Sequence, residues 1–426
     1  MSNYNAIDLF CGAGGFSEGI LQAGFHILLS SDINETVKET YIKRHAQLGI
    51  IEGIDSVFIQ DDIRNINGAR IRAELKEIGH HKNDIDVFFG GPPCQGFSRA
   101  GKRDPDDPRN LLFREYLRLV DEVKPKYVVM ENVEGFMDTK LKDYIGVTNK
   151  LYEGDFLLPE ILISEFKEIQ YRTLEPKVLN AADYGVPQNR RRAIFIAYRQ
   201  GQAKPKYPSI STQKPITVFE ALADLYDLPP SQYAIDRRDG VLATKDCSRN
   251  EVGIKNFEFS RHSKEVIERF SLFRNGETTS QLKQRILSEG INLSDKPELI
   301  ATVSNKVDIP KPEIINIFQN GEPSKKLIDA VLTKKSNRIK LDPCKAANTI
   351  LTLPDDYISP FSNKAITVRE MARLQSFDDS FVFYGKKSTG GVKRRVEIPQ
   401  FTQVGNAVPP LLARAIAEEI RLALSK

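Results

Sequence analysis

The chain holds only four cysteines, Cys11, Cys94, Cys247 and Cys344, and they lie far apart with no metal-ligand spacing. Its five histidines are scattered too. A disulfide framework and a zinc site are therefore not expected, nor any other metal, and a reducing cytoplasm is the fitting compartment. No apolar run approaches the length of a membrane span, so no membrane partner is expected. Met1 to Asn5 lead straight into Ala6-Ile7-Asp8-Leu9-Phe10, and no signal or transit peptide is expected. There is no low-complexity tract and no internal repeat, which sets aside disordered and solenoid classes. Net charge is only +4, which permits a polyanionic partner without demanding one.

What is present is an ordinary globular composition, 40% hydrophobic and 28% charged, spread over 426 residues. That length exceeds one compact core, so two domains are expected. From residue 1 to about 199, strand-like and helix-like segments alternate. Strands are expected at Ala6–Phe10, Ile27–Ser31, Val57–Gln60, Ile85–Phe89, Tyr127–Met130 and Ala193–Ala197. Helices are expected at Phe16–Ala23, Glu35–His45, Ala69–Ile78 and Leu111–Val123. Such alternation implies an α/β fold with a mostly parallel, helix-covered sheet. From about 201 to 362 the hydrophobic periods weaken, and a second, smaller and irregular domain is expected there. Regularity returns at Thr367–Leu374 and in a last helix, Leu411–Leu424, whose Leu412, Ile416 and Ile420 share one face.

The most informative stretch is Gly90-Gly91-Pro92-Pro93-Cys94-Gln95-Gly96-Phe97-Ser98. It follows the apolar run Ile85–Phe89, and its prolines force the chain off the sheet with restricted φ. Cys94 is thus held near the carboxyl end of a strand, the edge where open α/β sheets bind ligands. A lone cysteine is more often a packed core residue, but flanking glycine and proline argue against that here.

Strand one runs into Phe10-Cys11-Gly12-Ala13-Gly14-Gly15. Glycines let a backbone turn tightly and approach a ligand. The dinucleotide fingerprint is incomplete, since Ser17 stands where its third glycine belongs. Asp32 and Asp62 end the next two strands. The first suits a ribose diol and the second an adenine amino group, so an adenosine-containing cofactor is favoured.

Together these residues resemble the cytosine carbon-5 DNA methyltransferases. The likeness runs in order through Asp8–Phe16, Gly91–Gln95, Glu131-Asn132-Val133, Gln188-Asn189-Arg190-Arg191-Arg192, Arg369–Gln375 and Gly405-Asn406-Ala407-Val408. The resemblance implies the Rossmann-like fold of S-adenosylmethionine-dependent methyltransferases. It implies a catalytic domain of residues 1–199, completed by 401–426, and a target-recognition domain of 200–400. It implies S-adenosylmethionine as cofactor, held by Phe10, Gly12, Gly14, Asp32, Ile33, Asp62, Ile63, Pro92, Leu112 and Asn406. It implies catalytic roles for Cys94, Glu131, Arg190 and Arg192. Duplex DNA is the expected substrate, a restriction-modification system the expected setting, a monomer the expected state and the cytoplasm, on the nucleoid, the expected location.

The chemistry explains these residue types. Carbon 5 of cytosine is a poor nucleophile until a thiolate adds at carbon 6 and breaks the aromaticity. A free thiol titrates near about pH 8.5, so nearby positive charge from Arg190 and Arg192 would raise the reactive fraction. A carboxyl group at Glu131 can hold the nitrogen 3 edge and the amine of cytosine and share a proton. Strand alternation puts Arg190 and Arg192 on one face and Arg191 on the other. The target base must leave the duplex, and Arg99–Arg109 reads as a lid that closes over it. Lys334, Lys335, Arg338, Lys340, Lys386, Lys387, Lys393, Arg394 and Arg395 are candidate phosphate contacts.

The nearest rival applies the same chemistry to RNA, but the middle domain lacks the Cys-Phe-Thr tripeptide associated with that branch. A nicotinamide oxidoreductase would require a complete glycine fingerprint and has no use for Pro-Pro-Cys. A catalytically dead DNA-binding module would not need Cys94, Glu131, Arg190 and Arg192 intact.

Overall fold

Short apolar runs between Asn5 and Arg199 build a sheet buried on both faces, described here by a computed structural model covering residues 4–81, 84–93, 111–211, 214–240, 242, 253–333, 335, 337–389 and 397–426. Its strands are β1 (Asn5–Leu9), β2 (His26–Asp32), β3 (Val57–Gln60), β4 (Val87–Gly90) and β5 (Tyr127–Val133). They continue with a hairpin of β6 (Lys140–Ile145) and β7 (Leu151–Leu157), then β8 (Tyr171–Thr173), β9 (Lys177–Asn180), β10 (Gln188–Asn189) and β11 (Arg191–Arg199). The main sheet runs in the order β3-β2-β1-β4-β5-β11-β8, with β9 also on β11. Strands β1 to β5 are parallel. Strand β11 returns antiparallel to β5, β8 and β9. Strand order reverses between β1 and β4, the place where such sheets open a crevice for ligands.

Helices α1 (Gly15–Gln22), α2 (Glu35–Gln47), α3 (Gly68–Glu77), α4 (Leu112–Val123) and α5 (Leu158–Glu168) link the strands. The sheet's two faces bury separate cores, as a period of two requires. Ile7, Leu9, Phe88, Val128 and Met130 face α3, α4 and α5. Ala6, Val87, Phe89, Tyr127 and Val129 face α1 and the last helix.

Beyond β11 the chain forms α6 (Val218–Leu222), α7 (Gln232–Asp239), α8 (Lys264–Ser271), α9 (Thr279–Glu289), α10 (Pro297–Val307), α11 (Lys311–Gln319) and α12 (Lys325–Leu332). Short strands β12 (Ile339–Lys340), β13 (Ala347–Asn348) and β14 (Tyr357–Ile358) follow, then α13 (Val368–Leu374), α14 (Gln400–Asn406) and α15 (Pro410–Leu424). The middle is therefore more regular than its sequence suggests. Helices α8 to α12 are 8 to 11 residues long, too short for a period to stand out. They are set by end signals: Ser263, Thr278 and Ser324 cap three of them, and prolines open two others. These helices share a core of their own, including Phe270, Leu282, Ile286, Val303, Phe318 and Val331.

A third core joins the two halves. Ala13 of the glycine turn packs in one cluster with Val218, Leu222, Tyr233, Ile350, Tyr357, Met371, Phe377, Phe401 and Val404. Strand β10 pairs with β13. Helix α15 buries Leu412, Ile416 and Ile420 against α1 and the sheet.

Candidate active site

The glycine turn after β1 is shaped by backbone rather than side chains. Phe10, Gly12 and Gly14 all have positive φ, at 58°, 55° and 97°. A Cβ on Gly12 would meet nothing within 4 Å, so this bend faces open space. Asp32, at the end of β2, accepts from the Gly12 N–H at 3.1 Å and the Asn34 N–H at 2.9 Å. Burial pushes its carboxyl above the usual range, although these backbone donors counter the effect. Ile33 beside it is 64% exposed, an apolar side chain left bare at the crevice edge. Gly15 admits no side chain: its Cβ would lie 2.5 Å from the Val408 carbonyl and 2.8 Å from the Ala407 Cβ. The segment carrying exposed Asn406 is thereby pressed onto the turn.

Other expected cofactor residues separate into two groups. Asp62 ends its strand as expected, yet its carboxylate is held by Arg64 at 2.5 Å and caps the following turn. The side chain of Ile63 is buried in the core with α3 and α4, which leaves its main chain for a ligand. Leu112 is half-buried at the start of α4. Pro92 is buried, and its carbonyl accepts from Asn132 Nδ2 at 3.1 Å. Cys94 and the expected lid of residues 99–109 lie outside the described residues.

Glu131 does not follow its strand but sits within β5, opposite Ile194 of β11. Its Oε1 accepts from Arg192 Nε at 2.7 Å, and both side chains are only 12% exposed. A Cβ on Gly91 would stand 3.1 Å from Glu131 Oε2. The loop leading to Cys94 thus passes directly over this carboxylate. Arg191 points outward and pairs with Glu134 at 3.1 Å.

Arg190 lies between β10 and β11; like Arg192 it is less exposed than its neighbours Asn189 and Arg191, and the charges of Arg192 and Glu131 both act on it. Its buried guanidinium donates to the carbonyls of Ile350 and Gly405, each at 3.0 Å. Burial, aided by Arg192, lowers its pKa well below the ordinary value. It tethers the base side of the site to the Gly405-Asn406 segment.

Gln188 extends that tether, a role that sequence reading missed. It donates to Leu374 O and Gln375 Oε1, both at 3.1 Å, and accepts from Ile350 N at 2.8 Å. Gln375 in turn donates to Val404 O at 2.9 Å. The motif position of these two amides was the only signal available. Arg369 and Arg373 of the same stretch are fully buried and structural: Arg373 grips Asp379 through two contacts of 2.6 Å, and Arg369 donates to the carbonyls of Lys255, Asp378 and Phe381. Asp8 was missed as well. It is buried on the α1 side of β1, accepts from Ser17 Oγ at 2.5 Å, and desolvation pushes its pKa up to about 7.

The basic candidates of the second half are mostly spoken for. Lys335 pairs with Asp355 and Asp356, Lys386 with Glu397, and Lys340 donates to Asn363. Arg338 is buried over the Phe270 ring and donates to Asp355 O, and Lys387 donates to Glu258 O. Lys334, Lys393, Arg394 and Arg395 lie outside the described residues. Among the described residues there is no group of three or more His, Cys, Asp or Glu able to hold a metal, and no helix long and apolar enough to cross a membrane.

Comparison with known proteins agrees with this geometry. The family profile of the C-5 cytosine-specific DNA methylases matches residues 4–422. The type II methyltransferase M1.HphI of Haemophilus parahaemolyticus is 34% identical over 97% of this chain and 86% of its own. The type II methyltransferase M.DdeI of Desulfomicrobium norvegicum is 30% identical over 98% of this chain and 88% of its own. Among solved structures, a prophage-encoded E. coli protein described as a DNA modification methyltransferase superposes with a TM-score of 0.67 at 24% identity, covering both chains fully.

Proposed function

The chain belongs to the C-5 cytosine-specific DNA methylases, and from that premise we propose that it transfers a methyl group from S-adenosylmethionine to carbon 5 of a cytosine flipped out of a specific duplex sequence. Its role is modification in a restriction-modification system, working as a monomer on cytoplasmic DNA. Full-length similarity to type II methyltransferases favours DNA over RNA as substrate. Residues 1–199 with 401–426 form the catalytic part, and 200–400 carry target recognition. The observation that carries the reading is the Glu131–Arg192 pair at 2.7 Å beneath Gly91, three positions ahead of Cys94 in the run Gly91-Pro92-Pro93-Cys94.

The glycine turn fits S-adenosylmethionine. The open bend at Gly12 admits close approach of a ligand. Asp32 would accept from ribose hydroxyls, and the bare face of Ile33 would cover an adenine ring. Asn406 would close the far side. When bound, the cofactor supplies the methyl group that carbon 5 takes up.

This chain's residues prepare the ring. The Cys94 thiolate bonds to carbon 6 of the extruded base, and electron density moves toward nitrogen 3. Glu131 holds the nitrogen 3 edge and the exocyclic amine and delivers a proton there. Arg192 fixes the carboxylate's direction through its Nε–H. Arg190 keeps the Gly405-Asn406 segment in place. After methyl transfer a base removes the carbon 5 proton, the electrons of that bond expel Cys94 from carbon 6 as the thiolate, and nitrogen 3 returns its proton to Glu131.

Duplex DNA containing 5-fluorocytosine tests this, because fluorine cannot leave as a proton does. With S-adenosylmethionine, the wild type should form an adduct that survives denaturation, and Cys94→Ala should form none. An adduct on the variant, or none on the wild type, overturns the assignment.

A further inference from the structure

Helices α9 to α12 share with α8 a core that the catalytic chemistry does not use. Helix α10 ends at Val307, and Asp308, Ile309 and Pro310 turn the chain in three residues before α11 begins at Lys311. Asp308 takes the left-handed conformation at φ 58°, and Ser304 Oγ donates to Ile309 O at 2.6 Å, which locks the turn. Helix α9 crosses the far end of α11. A Cβ on Gly290 would strike the Gln319 carbonyl at 2.2 Å, and Ile291 N–H donates to Phe318 O at 2.8 Å. Two helices joined by a three-residue turn, with a third helix bracing the second, share the connectivity of helix-turn-helix proteins, whose second helix enters the major groove of DNA.

The exposed side of α11 has suitable chemistry. Ile314 and Phe318 face the core, which leaves Lys311, Glu313, Asn316 and Gln319 exposed. An amide can pair with adenine through two bonds, and a carboxylate accepts from the cytosine amine. On the same helices Lys306, Lys311, Lys325 and Lys326 are exposed. None of the four makes an ion pair with a described residue. That contrasts with the occupied lysines farther along the chain, and free lysines flanking a reading helix suit phosphates.

The unit is also tied to the active site. Thr278, the cap of α9, bridges to Ile339 of β12, and β12 pairs with β14. Tyr357 of β14 donates its hydroxyl to Thr349 O and accepts from Leu351 N–H, on either side of the Ile350 carbonyl held by Arg190.

We propose that α9 to α12 form a helix-turn-helix reader of duplex DNA, in which α11 contacts base edges through Glu313 and Asn316 while Lys311, Lys325 and Lys326 contact phosphates. The proposal deepens the methyltransferase reading, since it names the side chains that select the sequence around the flipped cytosine. Its test reads binding and so stands apart from the adduct assay. The full-length wild type, Glu313→Ala and Asn316→Ala are each used to select bound duplexes from a random-sequence pool. The wild type should enrich one motif, and each variant should lose preference at one or more positions and bind the wild-type motif roughly tenfold more weakly. Lys311→Ala and the Lys325→Ala/Lys326→Ala pair should flatten the salt dependence, by roughly one power of salt per lost contact. Variants that enrich the same motif with the same affinity and salt slope would overturn the reader, even if the 5-fluorocytosine adduct forms normally. A wild type that forms no adduct but shows these binding losses would sink the catalytic assignment and leave the reader standing.

Discussion

A Cβ built on Gly19 would stand 2.5 Å from the carbonyl oxygen of Pro410. The same atom would lie 2.5 Å from the Ala413 Cβ and 2.6 Å from the Arg414 nitrogen. Helix α1, which follows the glycine turn, and the last helix therefore touch backbone to backbone. Gly19→Ala gains helix propensity but must push two backbones apart. It should lower stability by about 1–3 kcal/mol, the cost of overpacking, in urea denaturation. An unchanged midpoint would mean that the helices separate freely.

Glu131 and Arg192 are the pair proposed to receive the incoming base. Glu131→Gln keeps the shape and removes the proton donor. Single-turnover methylation should fall by about 10²–10⁴-fold, while affinity for duplex DNA stays near that of the wild type. A loss seen only in DNA affinity would make Glu131 a binding group instead.

Arg190 and Arg192 should behave differently despite their spacing. Arg190→Ala strands the carbonyls of Ile350 and Gly405 in a buried place and should cost about 3 kcal/mol of stability. Arg192→Ala, nearer the surface, should cost little stability and most of the activity. Thermal denaturation of the two variants side by side separates the roles; equal losses would count against the tether.

Asp8 and His45 should give stability two opposed slopes with pH. Burial raises Asp8 from 3.8 to about 7, so the folded state holds a proton that the unfolded chain has released. Stability should therefore fall as pH rises from about 4 to about 7. Burial lowers His45 from 6.5 to about 4, where it stacks on Tyr41 at 4.0 Å. Its contribution is present above about pH 6.5 and is lost as pH falls toward 4. Each slope is at most about 1.4 kcal/mol per pH unit. Asp8→Asn should abolish the first in a pH series of urea midpoints, and His45→Phe the second. Because the two slopes largely cancel in the wild type, Asp8→Asn should expose the rise due to His45, and a midpoint series unchanged by Asp8→Asn would place the proton elsewhere.

Much of the sheet was legible in the chain itself. Strands buried on both faces read as short apolar runs closed by glycine, aspartate or proline, so β1 to β4 fall within a residue or two of their expected bounds. Strand β5 proved longer, because Glu131 is covered by the loop through Gly91 and need not end the strand. The middle helices were hidden, since segments of 8 to 11 residues carry too few turns to reveal a period.

The sequence by itself determined that a cysteine follows two prolines just past a buried strand, and that a glycine bend follows the first strand, because backbone preferences are local. Only tertiary structure decided which arginine meets Glu131 and which one holds Gly405. Alternation puts both arginines on the covered side, but which acceptor each one reaches depends on the segments that the fold packs against them. The same holds for the lysines, whose freedom depends on which carboxylates the fold brings near them.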